Sequence, residues 1–231
     1  MQKRELWGGE SLHSYTEDFP YYLLKPKAEL IELLGQRGIT DQNVLKAFEK
    51  VDRHRFVEGV DEARAYQDIA LPIRCNQTIS RPFTVAMQSQ LLEVKKKDKI
   101  LEIGTGSGFQ AAILDAMDAD VYSIERHHEL YRFTKKLLDD IAPSIALYSS
   151  DGFKGLPQKA PFNKIIVTCG ALSIPLPLFK QLKIGGIMVI PIGESTQTMV
   201  KIVKIDETKY EKKEYGEFTF VPMLENIKKE Q

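Results

Sequence analysis

From Lys99 onward, short apolar runs alternate with amphipathic stretches, and that alternation leaves few folds open. Ile100-Leu101-Glu102-Ile103 reads as a strand, Gly104-Thr105-Gly106-Ser107-Gly108 as a turn, and Phe109 to Met117 as a helix. Val121 to Ile124 is the next strand. Leu130, Phe133, Leu137, Leu138 and Ile141 then recur at three- and four-residue spacing, one face of an amphipathic helix. Ile145 to Tyr148 and Lys164 to Thr168 read as further strands, Leu176 to Leu182 as a helix, and Ile187 to Ile190 as a strand. Strands and helices in turn make a mostly parallel sheet with helices on both faces. Val200-Lys201-Ile202 and Glu217 to Val221 alternate with no helix between them, so an antiparallel pair is expected at the C-terminal edge of the sheet.

The first third reads as helical decoration. Leu30, Ile31, Leu33 and Leu34 fall in a helix over Ala28 to Leu34, with Gly35 and Gly38 where it should stop. Thr40 is the expected N-cap of a second helix carrying Val44, Leu45, Phe48 and Val51. Leu71 to Ser80 reads as a polar loop, and a third helix is expected to open at Pro82. Lys95 to Lys99 reads as a solvated turn, and the charged end from Lys228 to Gln231, which has no burial pattern, as frayed. With no internal repeat and no Gly/Ser- or Pro-rich linker, residues 1–231 read as one domain: a helical region over 1–98 and a ligand-binding sheet over 99–231.

Composition narrows the function. The 231 residues carry 32 basic and 32 acidic side chains, so no global field draws the chain to nucleic acid or to an acidic membrane. Neither partner is expected. Two cysteines, Cys75 and Cys169, exclude a disulfide framework or a cysteine-rich zinc site and fit a reducing compartment. Met1 to Gly9 lacks the apolar core of a signal peptide, and no apolar run reaches the ~18 residues of a membrane span. A cytoplasmic monomer is the expectation. None of His13, His54, His127 and His128 has metal-ligand spacing, and His127-His128 reads as a solvated helix start, so no metal is expected.

In a doubly wound sheet the ligand sits beyond the carboxyl ends of the central strands. The Gly104-x-Gly106-x-Gly108 turn lies there, between a strand and a helix, and Glu125 ends the next strand at the spacing of a carboxylate that binds ribose hydroxyls. A dinucleotide fingerprint would place its third glycine at 109, which is Phe109. The pattern therefore favours a nucleoside cofactor without a pyrophosphate, and S-adenosylmethionine fits it. Asp151-Gly152, just past a strand, is placed to meet the adenine edge. Cys169 reads as a small buried hydrophobe rather than a nucleophile. There is no G-x-S-x-G elbow and no P-loop lysine. For Ser80 two readings stand side by side: a cap or turn residue, or a functional hydroxyl.

Several segments together resemble the protein-L-isoaspartate O-methyltransferase family, over roughly Leu30 to Leu224. They are Gln77-Thr78-Ile79-Ser80-x-Pro82, Asp151-Gly152-x-Lys154-Gly155, Ala160-Pro161-Phe162-Asn163-Lys164-Ile165-Ile166-Val167-Thr168, Leu182-Lys183-x-Gly185-Gly186 with Val189 to Gly193, and Phe220-Val221-Pro222. The resemblance implies a Rossmann-like class I methyltransferase with a seven-stranded sheet whose last strands are exchanged in order. It implies methyl transfer from S-adenosylmethionine, leaving S-adenosylhomocysteine, to the free α-carboxylate of L-isoaspartyl residues in damaged proteins and peptides. Ser80 would then be the catalytic hydroxyl, with Thr78, Ile79, Val221 and Pro222 around the substrate. The cofactor would lie against Gln77, Glu102, Gly104, Thr105, Gly106, Ser107, Gly108, Glu125, Arg126, Asp151, Gly152 and Thr168. Asn76 stands where the family commonly has glycine, Arg81 where a smaller or amide residue is usual, and Thr168-Cys169-Gly170-Ala171 replaces a more alanine-rich run. Two alternatives from other classes are a class I methyltransferase acting on a small molecule or nucleic acid, and a binding module without catalysis.

Overall fold

The computed structural model describes residues 21–228. The expectations for Met1 to Gly9, His13 and the tail past Lys228 fall outside them. In chain order the elements are α1 (Tyr21–Gln36), α2 (Gln42–Lys50), α3 (Glu62–Ala65), β1 (Leu71–Ile73), β2 (Gln77–Ile79), α4 (Pro82–Leu92), β3 (Lys99–Ile103) and α5 (Phe109–Ala116). They continue with β4 (Asp120–Glu125), α6 (His128–Ile141), β5 (Ala146–Ser149), β6 (Phe162–Val167), α7 (Leu176–Gln181), β7 (Leu182–Ile192), β8 (Gln197–Lys204) and β9 (Tyr210–Phe218).

Seven strands form one sheet in the order β5-β4-β3-β6-β7-β8-β9. The first five are parallel; β8 is antiparallel to β7, and β9 to β8, so the last strands form a meander. Because β3 has Ile100 facing one core and Leu101 the other, its alternate residues nail helices to both faces. Ile100 packs with Leu34, Phe48, Phe109 and Ile113, whereas Leu101 packs with Phe162, Ile165, Leu178 and Met188. The chain runs outward from β3 through β4 to β5 and returns on the other side as β6. The crevice that opens at this reversal is where open α/β sheets hold ligands. No helix among the described residues is long and apolar enough to cross a membrane.

Four local expectations need correction. Thr40 is not the cap of α2: Asp41 is, accepting the Asn43 amide at 2.8 Å, while the amides of Thr40 and Asp41 both donate to Gln90 Oε1 at 2.7 and 2.9 Å. The polar loop is a hairpin, with Leu71 opposite Ile79 and Ile73 opposite Gln77; buried Leu71 and Ile79 supply an inward face that the polar residues between them concealed. The last strand is β9, ending at Phe218, not Glu217 to Val221. Its charged body, Glu211-Lys212-Lys213-Glu214, lies exposed on the sheet edge, where charges discourage further pairing and no apolar period is needed. Lys228 is not a frayed end: it bridges to His127.

Candidate active site

The crevice holds a cavity of about 220 Å³. Its floor is the turn after β3. Gly104 and Thr105 donate to Ile124 O at 2.9 and 3.1 Å, which ties that turn to the end of β4. Gly104 has φ +96°, and a Cβ there would stand 2.6 Å from Thr168 Oγ1, which donates to Gly104 O at 2.6 Å. Thr168 thus closes the turn from the end of β6. Gly106 donates its amide to Glu125 Oε2 at 3.0 Å, and Thr134 Oγ1 donates to Gly106 O at 2.7 Å.

Gly108, expected in the cofactor site, stands at the junction of α5 and α6. It does not line the cavity; it N-caps α5 at φ +89°, and a Cβ there would meet Thr134 Cγ2 at 2.9 Å and Leu138 Cδ2 at 3.1 Å on α6. Gly108→Ala therefore combines a disfavoured backbone conformation with overpacking against α6, and a loss of about 1–2 kcal/mol is expected in chemical denaturation. An unchanged midpoint would show that α5 and α6 can move apart freely.

Glu125 is buried, with Oε1 accepting the His127 amide at 2.8 Å and Oε2 the Gly106 amide. Burial pushes its carboxyl up; the amides and the Arg126 guanidinium offset this only in part. His127 is correspondingly not a solvated residue. It is buried against the cavity, and burial, with Arg126 and Lys228 nearby, lowers its pKa.

Glu102 lies beneath the turn rather than in the cavity. It is wholly buried, paired through Oε2 with Ser123 Oγ, while Oε1 has no partner among the described residues; Ser123 Oγ also lies 2.6 Å from Thr105 Oγ1. Burial pushes the Glu102 carboxyl up to about 8, against the pull of Ser123. Between the ordinary carboxylate range and that value the folded chain keeps a proton that the unfolded chain releases, so stability falls as pH rises through this window. Glu102→Gln removes the titrating group and keeps the shape. Relative to the parent, it should gain about 4 kcal/mol between pH 5 and pH 9 in urea melts, roughly three pH units of a one-proton difference at about 1.36 kcal/mol each. Parallel pH profiles for the two proteins would show Glu102 to be anionic throughout.

The opposite wall is the hairpin: Gln77, Thr78, Ile79 and Ser80 all face the cavity. The roof is the segment after β9. The Gly170 amide donates to Val221 O at 2.8 Å and the Met223 amide to Gly170 O at 2.7 Å, which lays Val221 to Leu224 along the cavity. Arg126 Nε and Nη2 hold Asn226 O at 3.1 Å and Glu225 O at 3.3 Å. Thr105, Ser107 and Gly152 also line the cavity, but Asp151 does not; its Oδ1 accepts the Phe153 amide at 3.0 Å. The sequence reading missed Gln88 and Gln110. Gln88 Nε2 donates to Val167 O at 2.9 Å and Gln110 Nε2 to Ser89 Oγ at 2.9 Å, leaving the buried Gln110 Oε1 with no partner. Their one sequence signal was an amide side chain on the apolar faces of α4 and α5.

Residues 25–228 match the protein-L-isoaspartate(D-aspartate) O-methyltransferase (PCMT) family. The chain belongs to that family. The protein-L-isoaspartate O-methyltransferase of Flavobacterium psychrophilum is 53% identical over 199 residues, 86% of this chain and 93% of that protein. Its counterpart from Flavobacterium johnsoniae is 54% identical over 200 residues, with coverage of 86% and 93%. A solved protein-L-isoaspartate O-methyltransferase superposes with TM-score 0.80 at 25% identity, over 87% of this chain and 67% of that one. A Plasmodium falciparum chain solved in complex with S-adenosyl-L-homocysteine shares the fold, with TM-score 0.76 at 24% identity over 86% of this chain and 98% of that one.

Two departures from the isoaspartate methyltransferase pattern have local explanations. Asn76 sits at φ +56° in the hairpin turn, a left-handed conformation that asparagine tolerates best after glycine. Cys169 lines the cavity half-buried, and burial pushes its thiol up to about 12, so it is no thiolate nucleophile.

Proposed function

We propose that the cavity brings S-adenosylmethionine and an L-isoaspartyl carboxylate together, so that the chain methylates the free α-carboxylate of isoaspartyl residues in damaged proteins and peptides. The observation that carries this reading is that Ser80 and the glycine turn with Glu125 face one another across a single cavity. The residues present fit the cofactor. A carboxylate offers about four acceptor sites; two at Glu125 are taken by the Gly106 and His127 amides, which leaves room for a sugar diol. The unpartnered Gln110 Oε1 is a further acceptor at the cavity wall, and Gly152 lines it without a side chain.

When bound, S-adenosylmethionine supplies an electrophilic methyl group on a sulfonium. The accepting α-carboxylate has a pKa of ~3.5 and is anionic at neutral pH, so no general base is required. What this chain supplies is orientation and exclusion of water. Ser80 donates its hydroxyl to one carboxylate oxygen and leaves the other free to accept methyl. A neutral donor suits the step better than a cation, because the carboxylate loses its charge as methyl arrives and a tight ion pair would stabilise the ground state. Val221 and Pro222 cover the site from above. The methyl ester then reacts within the substrate: the following backbone nitrogen attacks the carbonyl and expels methanol, and the succinimide hydrolyses partly to normal aspartate. The enzyme acts as a monomer in the cytoplasm, with polypeptides as its partners.

The decisive experiment compares an isoaspartyl peptide with its aspartyl twin, reading S-adenosylhomocysteine formed. Turnover of the isoaspartyl peptide alone is expected. Equal rates on both, or transfer only to a small molecule or nucleic acid, would overturn the reading.

A further inference from the structure

Ser80 is followed by Arg81, a cation at the start of α4. The structure shows what Arg81 joins. Arg81 Nη2 donates to Asp68 Oδ2 at 2.5 Å, Arg37 Nη1 donates to the same oxygen, and Asp68 Oδ1 accepts the Phe83 amide at 2.8 Å at the start of α4. A third guanidinium, that of buried Arg53, feels the Asp68 charge from inside. Two guanidiniums thus share one carboxylate oxygen, and the positive end of the α4 dipole points at the same spot. The carboxylate itself is spent: burial alone would raise it, yet the Arg81 bond, the Phe83 amide and the charges of Arg81 and Arg37 hold it below the usual range.

The cluster therefore keeps an excess of positive charge that Asp68 cannot cancel. Nor are its donors exhausted. Arg81 Nε is buried with no partner among the described residues, and the side chains of Arg81 and Arg37 remain 42% and 41% exposed. The Arg37 guanidinium lies 4.7 Å from the centre of the Phe83 ring, which fixes its plane beside α4. Arg81 is one residue from the hydroxyl that faces the cavity, and an extended peptide advances roughly 3.3–3.6 Å per residue. A substrate residue one or two places from the isoaspartate at Ser80 thus falls within an arginine's length of this cluster.

We propose that Arg81 and Arg37, gathered on Asp68 beside Ser80, form a cationic subsite that selects isoaspartyl polypeptides carrying an acidic residue next to the damaged one. The inference rests on the isoaspartyl reading of the cavity and adds the chemistry of the flanking residue. Discrimination comes as much from repulsion of a basic neighbour as from attraction of an acidic one.

The test uses three isoaspartyl peptides that differ only in the two residues flanking isoaspartate, which are Glu, Gln or Lys, together with the aspartyl twin of each. The full chain should show kcat/KM falling in the order Glu, Gln, Lys, with a spread of about fivefold at low salt that shrinks as salt is added. The difference should lie in KM rather than kcat. Arg81→Gln should bring the three values together, and Arg81→Lys should restore part of the spread, an outcome that mere structural damage would not give. Equal kcat/KM values on the three peptides, or a spread that Arg81→Gln leaves intact, would overturn the subsite while the isoaspartyl reading stood. No methylation of any isoaspartyl peptide in excess of its aspartyl twin would remove both.

Discussion

Ser80→Ala should lower single-turnover methylation of an isoaspartyl peptide by about a hundredfold, the loss expected when one positioning bond is removed where geometry controls the rate. The fold should barely notice. The helix-cap reading of Ser80 does not survive the structure: Arg81 holds the N-cap position of α4 without a side-chain cap bond, and the Phe83 amide is taken by Asp68. The Ser80 hydroxyl faces the cavity and has no hydrogen-bond partner among the described residues. Its removal therefore leaves no buried group unpaired, and the melting temperature and S-adenosylhomocysteine affinity should stay near those of the parent. Ser80→Thr keeps the hydroxyl but adds a methyl group in a confined place, so its rate should fall between the other two. Both variants methylating at the parental rate would remove the hydroxyl from the mechanism, leaving positioning to the Thr78 and Ile79 side of the hairpin.

What was legible in the sequence followed the strength of its periodicity. The strands β3, β4 and β6 are buried on both faces and read as short, mostly apolar runs in which Glu102, Ser123 and Asn163-Lys164 are the polar interruptions, and Leu130 and Leu138 mark the buried side of α6 at helical spacing. β9 could not be read this way, since an edge strand needs no apolar face. The hairpin at Leu71 to Ile79 was hidden for a related reason: its strands are three residues each, too short for alternation to show, and its turn uses Cys75 and Asn76 rather than glycine at positive φ. At the site, residues whose backbone conformation or charge marks them out were expected from their types, as with Gly104, Gly106 and Glu125, and all three line the cavity. Gln88, Gln110 and the Met223-Leu224 roof were not, because amide and apolar side chains announce no chemistry until the fold gathers them. Gly108 and Asp151 show the converse. Their types suit a cofactor site, yet Gly108 also lets α5 and α6 approach closely and Asp151 accepts an amide of its own turn.

Glu125→Ala should weaken S-adenosylhomocysteine binding by about 1.5–3 kcal/mol, the range for charge-assisted bonds to a buried carboxylate. The substitution has a second consequence, because the Gly106 and His127 amides lose the oxygens they donate to. Some of the loss could thus come from a slackened turn, and Glu125→Gln separates the two effects. Glutamine fills the same space and still offers one carbonyl oxygen, but its NH₂ must face an amide donor, and it bears no charge at any pH. Burial raises the Glu125 carboxyl above its ordinary value, so the parent should begin to lose affinity at a higher pH than an exposed glutamate would dictate as the solution is acidified. The sign follows from the ionised form being the one that accepts from the sugar hydroxyls: affinity is full above the folded pKa and falls below it. Calorimetric titrations across that range should show a pH-dependent decline in the parent and a flat, weaker profile in Glu125→Gln. Matching profiles would mean that the loss reflects the turn alone and that the ribose hydroxyls lie elsewhere.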